Sequence, residues 1–137
     1  MKHPSIELVT IQNSQDTSIL TQHLKKAWDL KYDIIFEVVN SGSNYYAQFA
    51  VYKEKSLLWW EFISNEFLNP PYILSDEKIQ KLFNRGFINQ DPELYRYPSP
   101  NFFKECFFKE IMEESVDIFL ERYGIKYPIE LKIKFVN

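Results

Sequence analysis

Residues 44–67 decide the fold of this chain, and they read N-Y-Y-A-Q-F-A-V-Y-K-E-K-S-L-L-W-W-E-F-I-S-N-E-F. Residues 45–53 and 57–64 are rich in aromatic and apolar side chains, which favour β-strands. The polar segment at residues 53–56 predicts a turn between them. We therefore predict two neighbouring antiparallel strands, which the other segments of the chain cover or extend.

The second of these strands is apolar on both faces. Successive side chains of a strand point to opposite sides, and the two sets are Leu58, Trp60 and Phe62 on one side and Leu57, Trp59, Glu61 and Ile63 on the other. One face is predicted to lie in the core. The other needs a cover, which is either a helix of this chain or a partner.

Three helices are predicted around this hairpin. Residues 17–30 carry apolar side chains at spacings of three and four, which is typical of one face of an amphipathic helix. A middle helix is predicted after Ser75, which can cap its first turn, and before Gly86, which can end it. A long third helix is predicted over residues 101–123, between an asparagine cap and a glycine.

Further strands are predicted on both sides of the hairpin. Residues 33–40 are β-branched and aromatic, so they complete a three-stranded antiparallel meander. Residues 129–136 alternate apolar and charged side chains, which predicts a strand at an edge of the sheet or in a dimer contact. Residues 5–12 are predicted to form an edge strand or an extended arm, and residues 87–100, with three prolines, a long ordered loop.

The predicted fold class is therefore α+β. It is an antiparallel β-meander with an N-terminal helix, a middle helix and a long C-terminal helix packed on it, plus a C-terminal edge strand. The 137 residues are predicted to form a single domain. Hydrophobic residues make up 45% of the chain, which is enough for a core without metal or disulfide bonds.

Charge and cysteine content limit the function classes. The net charge of −3 lacks the basic footprint of a nucleic-acid-binding protein and gives little attraction to an anionic membrane. The single cysteine excludes a disulfide framework within the chain. Residues 1–12 lack the apolar core of a signal peptide, and no apolar run reaches the ~20 residues that a membrane span needs. We expect a cytoplasmic protein.

Catalytic and metal-binding patterns are weak in this sequence. Cys106 with His3 or His23 is the only Cys/His pairing, and the aromatic run around Cys106 predicts a buried, inert thiol. The two histidines and one cysteine are too widely spread to have the spacing of metal ligands. We therefore predict a chain without a cofactor or metal that is not an enzyme.

Glu61 stands out because it interrupts an apolar strand. A buried ionised carboxylate needs partners. Glu61 is therefore either a structural residue that is hydrogen-bonded to the backbone or to Asn65, or an anchor for a basic or backbone group of a partner. The neighbouring aromatic side chains could stack nucleic-acid bases, but single-strand binders combine such side chains with a positive groove. Core and cover positions explain them better in an acidic chain.

Several motifs occur in an order that resembles a known family. They are N-Y-Y-A-Q-F-A at residues 44–50, W-E-F-I-S-N-E-F-L at 60–68, I-L-S-D-E-K-I-Q-K-L at 73–82, R-G-F at 85–87, P-N-F at 100–102 and E-R-Y-G-I at 121–125. Together they resemble the TY-Chap family, whose domains are related in fold to type III secretion chaperones. The resemblance covers residues 17–125.

The resemblance implies a chaperone-like fold, a polypeptide-binding role and no catalysis. The positions that match the family pattern are Tyr46, Gln48, Phe49, Glu61, Asn65, Phe67, Leu68, Leu82, Gly86, Pro92, Asn101 and Phe102. Phe87 departs from the pattern, which usually has tryptophan after the glycine. The segments before residue 17 and after Pro128 lie outside the resemblance.

Two functional hypotheses follow. The first is a non-catalytic module that holds a segment of another polypeptide through an aromatic sheet face or a sheet edge. Its predicted contact residues are Tyr46, Gln48, Tyr52, Trp60, Glu61, Phe62 and Asn65. The second is an enzyme or small-ligand domain with a pocket between the sheet and the C-terminal helix that uses Glu61. A homodimer is compatible with either hypothesis.

Overall fold

The computed structural model describes residues 6–42, 44–55, 57–63, 68, 73–91, 94–99 and 105–137. The helices are α1 (Thr17–Leu30), α2 (Asp76–Arg85) and α3 (Glu105–Glu121). The strands are β1 (Ile6–Ile11), β2 (Asp33–Val38), β3 (Tyr46–Tyr52), β4 (Leu57–Ile63), β5 (Ile88–Asp91), β6 (Leu94–Ser99) and β7 (Ile129–Val136). The α+β class and the antiparallel meander β2–β3–β4 are confirmed.

The strands of the described residues form one antiparallel sheet in the order β1-β7-β2-β3-β4-β6-β5. The prediction of a C-terminal edge strand is wrong, because β7 lies between β1 and β2 and pairs with both along its length. Its charged side chains occupy one face of an internal strand, where long stems can cover neighbouring apolar groups. One edge of the sheet is β1, so the segment before α1 is an edge strand, and the other edge is β5.

The predicted long loop at residues 87–100 is also corrected. It contains the strands β5 and β6, and β6 pairs with β4 over six residues, from Leu58↔Ser99 to Ile63↔Leu94. Proline argues against a strand because it lacks an N–H group. Pro98 is nevertheless accommodated in β6 opposite Trp59.

Local capping explains where the helices begin and end. The Ser75 hydroxyl accepts a hydrogen bond from the Lys78 N–H group at 3.3 Å, and Gly86 adopts a φ of 113° after α2, as predicted. Gly124, with a φ of 68°, follows α3. The predicted cap at Asn101 lies outside the described residues. The helix α1 has no glycine at its end. It is followed by Lys31, which adopts a left-handed conformation with a φ of 60°.

An aromatic cluster joins β4 to the helices. The ring of Phe62 lies 5.6 Å from that of Phe87, 5.4 Å from that of Phe119 and 5.9 Å from that of Tyr123. The Tyr123 hydroxyl donates a buried hydrogen bond to the Ile63 carbonyl at 2.7 Å. These contacts fix α3 and the end of α2 against the side of the sheet that carries Phe62.

The two sides of the sheet therefore differ. Trp28 of α1 packs against Phe108 of α3, and both helices cover the side that also carries Phe36 and Phe49. We call the opposite side the outer face. It carries Ile6 and Leu8 of β1, Lys132 and Lys134 of β7, Ile35 and Glu37 of β2, Tyr46 and Gln48 of β3, and Trp59 and Glu61 of β4.

The neighbouring residues Trp59 and Trp60 provide a test of this assignment. Trp60 is only 3% exposed and packs on Phe49, Phe62 and Phe87, whereas Trp59 is half-buried on the outer face. We expect Trp60→Ala to lower the free energy of unfolding by ~3 kcal/mol or more, because it leaves a core cavity. Chemical denaturation measures this loss.

The matched control is Trp59→Ala, which removes the same side chain from the other face of the same strand. It should cost clearly less than Trp60→Ala. Equal losses, or a larger loss for Trp59→Ala, would show that the helices do not cover the side assigned to them.

Candidate functional site

The outer face brings polar side chains from several strands into one row. The register pairs Lys134 with Ile35, Ile35 with Gln48, and Gln48 with Glu61. Directly opposite residues of an antiparallel pair lie ~4.5–5.5 Å apart. On the other side of β4, the backbone register places position 96 of β6 opposite Glu61. A line of amide, aliphatic and charged groups thus crosses the middle of the sheet.

A shallow depression of about 280 Å³ lies beside this row. The residues around it come from β2, β3, β7 and the turn before β3, and they are Ile35, Glu37, Asn44, Tyr46, Gln48 and Lys134. All of them except Asn44, which is exposed, are half-buried. The depression therefore presents one aromatic ring, one aliphatic side chain, two amides and two opposite charges.

The charges at this site are partly neutralised within the domain. The Lys134 ammonium lies 3.5 Å from the Glu37 carboxylate, and each side chain keeps about a third of its surface exposed. A pair at this exposure contributes little to stability. The Gln48 amide carries both a donor and an acceptor, so the middle of the row can form hydrogen bonds with a neutral partner.

The predicted contact residues divide between the two sides of the sheet. Tyr46 and Gln48 are half-buried on the outer face, and Tyr52 lies 47% exposed at the end of β3. Glu61 is on the outer face but is only 1% exposed. Asn65 lies outside the described residues.

Trp60 and Phe62 require a correction. Both side chains are buried against the helices, so they are core residues in the folded chain and cannot contact a partner on its surface. We leave them out of the site.

The predicted pocket between the sheet and the C-terminal helix is not supported for Glu61. Phe62 packs on Phe119 of α3, and Glu61 precedes it in the strand, so the carboxylate points to the opposite side of the sheet. A hollow of about 620 Å³ lies elsewhere, between the start of α1 and α3, where Lys109 and Glu113 face hydroxyl and amide side chains. Glu61 is not part of it.

The described part of the chain does not test whether Cys106 and a histidine come together, a pairing for which the sequence predicts no catalysis. His3 and the side chain of Cys106 lie outside it. His23 is engaged at the edge of the sheet, where its Nε2 lies 2.8 Å from the Glu7 carboxylate and its Nδ1 lies 2.7 Å from the Ile19 carbonyl. Among the described residues, no group of three or more His, Cys, Asp or Glu is placed to hold a metal ion.

The His23–Glu7 contact is a feature that the sequence did not indicate. Each of the two ring nitrogens of His23 lies within hydrogen-bonding distance of an oxygen atom, one of Glu7 and one of Ile19. The hydrogen bond from His23 lowers the pKa of the Glu7 carboxyl below its ordinary value of 4.5, against a smaller opposing effect of burial. The contact joins α1 to β1, two elements whose relative position no local pattern specifies.

The exposed side of α3 is acidic. Burial raises the pKa of the Asp117 carboxyl, and the negative charge of Glu121 adds to this effect. Arg85 of α2 opposes the rise and also lies 3.1 Å from the Glu114 carboxylate. This ion pair joins α2 to α3, so the acidic helix face has a structural use within the domain.

Comparisons of the chain with protein-family models, with curated proteins and with solved structures gave no match. The TY-Chap resemblance of the sequence therefore stays a prediction. No helix among the described residues has both the length and the apolar character to span a membrane.

The His23–Glu7 contact predicts a pH-dependent contribution to stability. The pKa of the Glu7 carboxyl is lower in the folded chain than in the unfolded chain. The contact therefore adds to the free energy of unfolding at a pH above the pKa of Glu7 in the unfolded chain. This stabilisation is lost as the pH falls through the pKa of Glu7 in the folded chain. We expect Glu7→Gln to lower the free energy of unfolding by about 0.5 kcal/mol near neutral pH, since 44% of the Glu7 side chain is exposed to screening. The difference from the unsubstituted chain should shrink at acidic pH, as the pH falls through the lowered pKa of the folded Glu7 carboxyl.

Denaturant titrations at the two pH values measure this difference. Glu110→Gln, at an exposed position of α3, is the control and should show no such change with pH. A Glu7→Gln effect that is the same at both pH values would contradict the assigned ionic contact.

Proposed function

We propose that this domain binds a segment of another polypeptide on the outer face of its sheet and catalyses no reaction. The observation that carries the proposal is the group formed by Tyr46, Gln48 and Ile35 around the depression on the side away from the helices. The aromatic ring and the aliphatic side chain can contact apolar side chains of a peptide, and the amide can donate to and accept from its backbone.

The chemistry of the depression favours a peptide over a small molecule. Its volume of about 280 Å³ lies below the ~300–1,000 Å³ of pockets that enclose small ligands. The Gln48 amide can both donate to and accept from a peptide group, and the Tyr46 ring can contact apolar side chains. The Glu37–Lys134 pair provides charges of both signs at the rim.

The order of elements also supports the proposal. The sequence resemblance implies a helix, a three-stranded meander, a middle helix and a C-terminal helix, which is the order of α1, β2–β4, α2 and α3. This agreement concerns the fold, and the polypeptide-binding role comes to the chain from the resemblance as a proposal. We expect the domain to act in the cytoplasm.

Two alternatives are less well supported. A nucleic-acid partner would require a positive surface, whereas Glu37 and Glu61 lie on the outer face among its lysines. An enzymatic role for Glu61 would require a reactive group beside it. The register places Gln48 of β3 and Arg96 of β6 opposite it, and neither residue type is a nucleophile or a general base.

The test is a pull-down from the native cytoplasm, followed by identification and purification of the bound polypeptide and measurement of its Kd. We expect the double substitution Tyr46→Ala and Gln48→Ala to raise the Kd by roughly tenfold or more, because it removes the central ring and amide of the contact. Thermal unfolding shows whether the variant is folded.

Phe83→Ala is the matched control, since Phe83 is an exposed aromatic residue of α2. It should leave the Kd unchanged. If the two variants weakened binding equally, the outer face would not be the binding surface. Co-purification of a small molecule, with no polypeptide in stoichiometric amount, would overturn the proposed function.

A further inference from the structure

The two edges of the sheet differ in their protection against pairing with another strand. At one edge, β5 has four residues and an irregular register with β6 between Ile88 and Asp91. At the other edge, β1 has six residues in unbroken register with β7, from Ile6↔Lys134 to Ile11↔Ile129. Short, irregular edges resist strand addition, whereas long, regular edges invite it.

The edge strand β1 lacks the usual protective residues. Its sequence is I-E-L-V-T-I, without proline, lysine or arginine. In an antiparallel strand, alternate residues direct both their N–H and C=O groups to the same neighbour, so the others in β1 direct theirs away from β7. The described residues contain no strand on that side.

Two large apolar side chains of β1 are unusually exposed. Leu8 is 75% exposed and Ile6 is 58% exposed, and both lie on the outer face. Val136 of β7, 37% exposed, belongs to the same face near Ile6. Contiguous exposed apolar side chains mark interaction surfaces, and here they coincide with an unpaired strand edge.

The only charge on β1 is satisfied within the domain. Glu7 alternates with Ile6 and Leu8, so it lies on the helix side, where it contacts His23 at 2.8 Å. Lys26 adds a second positive charge that acts on Glu7 and also lies 5.1 Å above the Phe135 ring. An acidic residue held in this way repels an approaching strand less than a free carboxylate would, although two such residues placed directly opposite each other still repel.

We propose that β1 pairs antiparallel with β1 of a second copy of this chain, so that two sheets join across a two-fold axis. The two-fold arrangement places the helices of both copies on one side, and residues that face each other must then belong to the same face of the sheet. The occupant is a second copy because the strand is complementary to itself in one register.

That register places Leu8 opposite Leu8 of the second copy and Ile6 opposite Thr10. Each of the two strongly exposed apolar side chains then gains a cross-strand neighbour from the second copy. Centring the pair on Glu7 would set two carboxylates directly opposite each other, which is unfavourable. Centring it on Val9 would leave Ile6 opposite Gln12, beyond the end of the strand.

The self-association does not rest on the proposed binding function. The strands β7 and β2 separate β1 from β3, which carries Tyr46 and Gln48. At ~4.8 Å between strands, β1 and β3 are about 14 Å apart. Pairing at β1 and a peptide on the outer face can therefore be tested by separate substitutions.

Sedimentation equilibrium over a concentration series tests the pairing. We expect a dimer for the unsubstituted chain, and for Leu8→Lys an increase of roughly tenfold or more in the dimer Kd, because two ammonium groups would meet at the two-fold axis. Val39→Lys is the matched control, since Val39 is 44% exposed in the turn after β2. It should dimerise like the unsubstituted chain.

Cysteine cross-linking tests the register. In a Cys106→Ser background, Leu8→Cys should give a covalently linked dimer with a short bismaleimide, and Val39→Cys should not. Equal yields for the two variants, or a chain that is monomeric at every concentration, would overturn the proposal. The proposal would also be overturned if the chain were monomeric and the Leu8→Lys substitution abolished binding of a different polypeptide. The edge strand β1 would then bind that polypeptide and not a second copy.

Discussion

The burial of the Phe62 ring is the constraint on which the arrangement of this domain depends. It is fully buried between Phe87 at the end of α2 and Phe119 and Tyr123 of α3. Because side chains alternate along a strand, fixing Phe62 toward the helices also fixes Glu61 toward the outer face. The register with β3 then places Gln48 beside Glu61. A buried aromatic contact thus determines which polar groups the sheet presents.

Much of this architecture is visible in the sequence because it depends on local periodicity. The spacing of apolar residues predicted α1 over the same fourteen residues that the structure shows, and alternation predicted β7. The hydroxyl cap and the glycine predicted both ends of α2. These signals are local, because each depends only on the residues of one helix or strand and of its ends.

Pairing between strands that are distant in the sequence is not a local property, and the sequence did not predict it. The charged alternation of β7 suggested an edge strand, but β1 covers that edge and Lys134 reaches Glu37 on β2. The same limit applies to the site. The aromatic content of β4 favoured Trp60 and Phe62 as contact residues, but both are core residues. No local pattern indicated Ile35 or Lys134. Only strand order brings those two residues beside Gln48.

The edge strand and the outer face illustrate two ways in which a sheet can remain incomplete. An edge lacks partners for its backbone, and any strand of suitable regularity can supply them, so an edge is selective mainly through its side chains. The one charged side chain of β1, Glu7, contacts His23 within the same chain, so β1 offers little charge repulsion to an approaching strand. The strands β2 and β3 pair with a neighbour on each side, so the part of the outer face around the depression can select a partner only through side chains such as Tyr46 and Gln48. We therefore propose self-pairing for the first surface, because the chain supplies its own complementary strand, and a segment of a different polypeptide as the partner of the second.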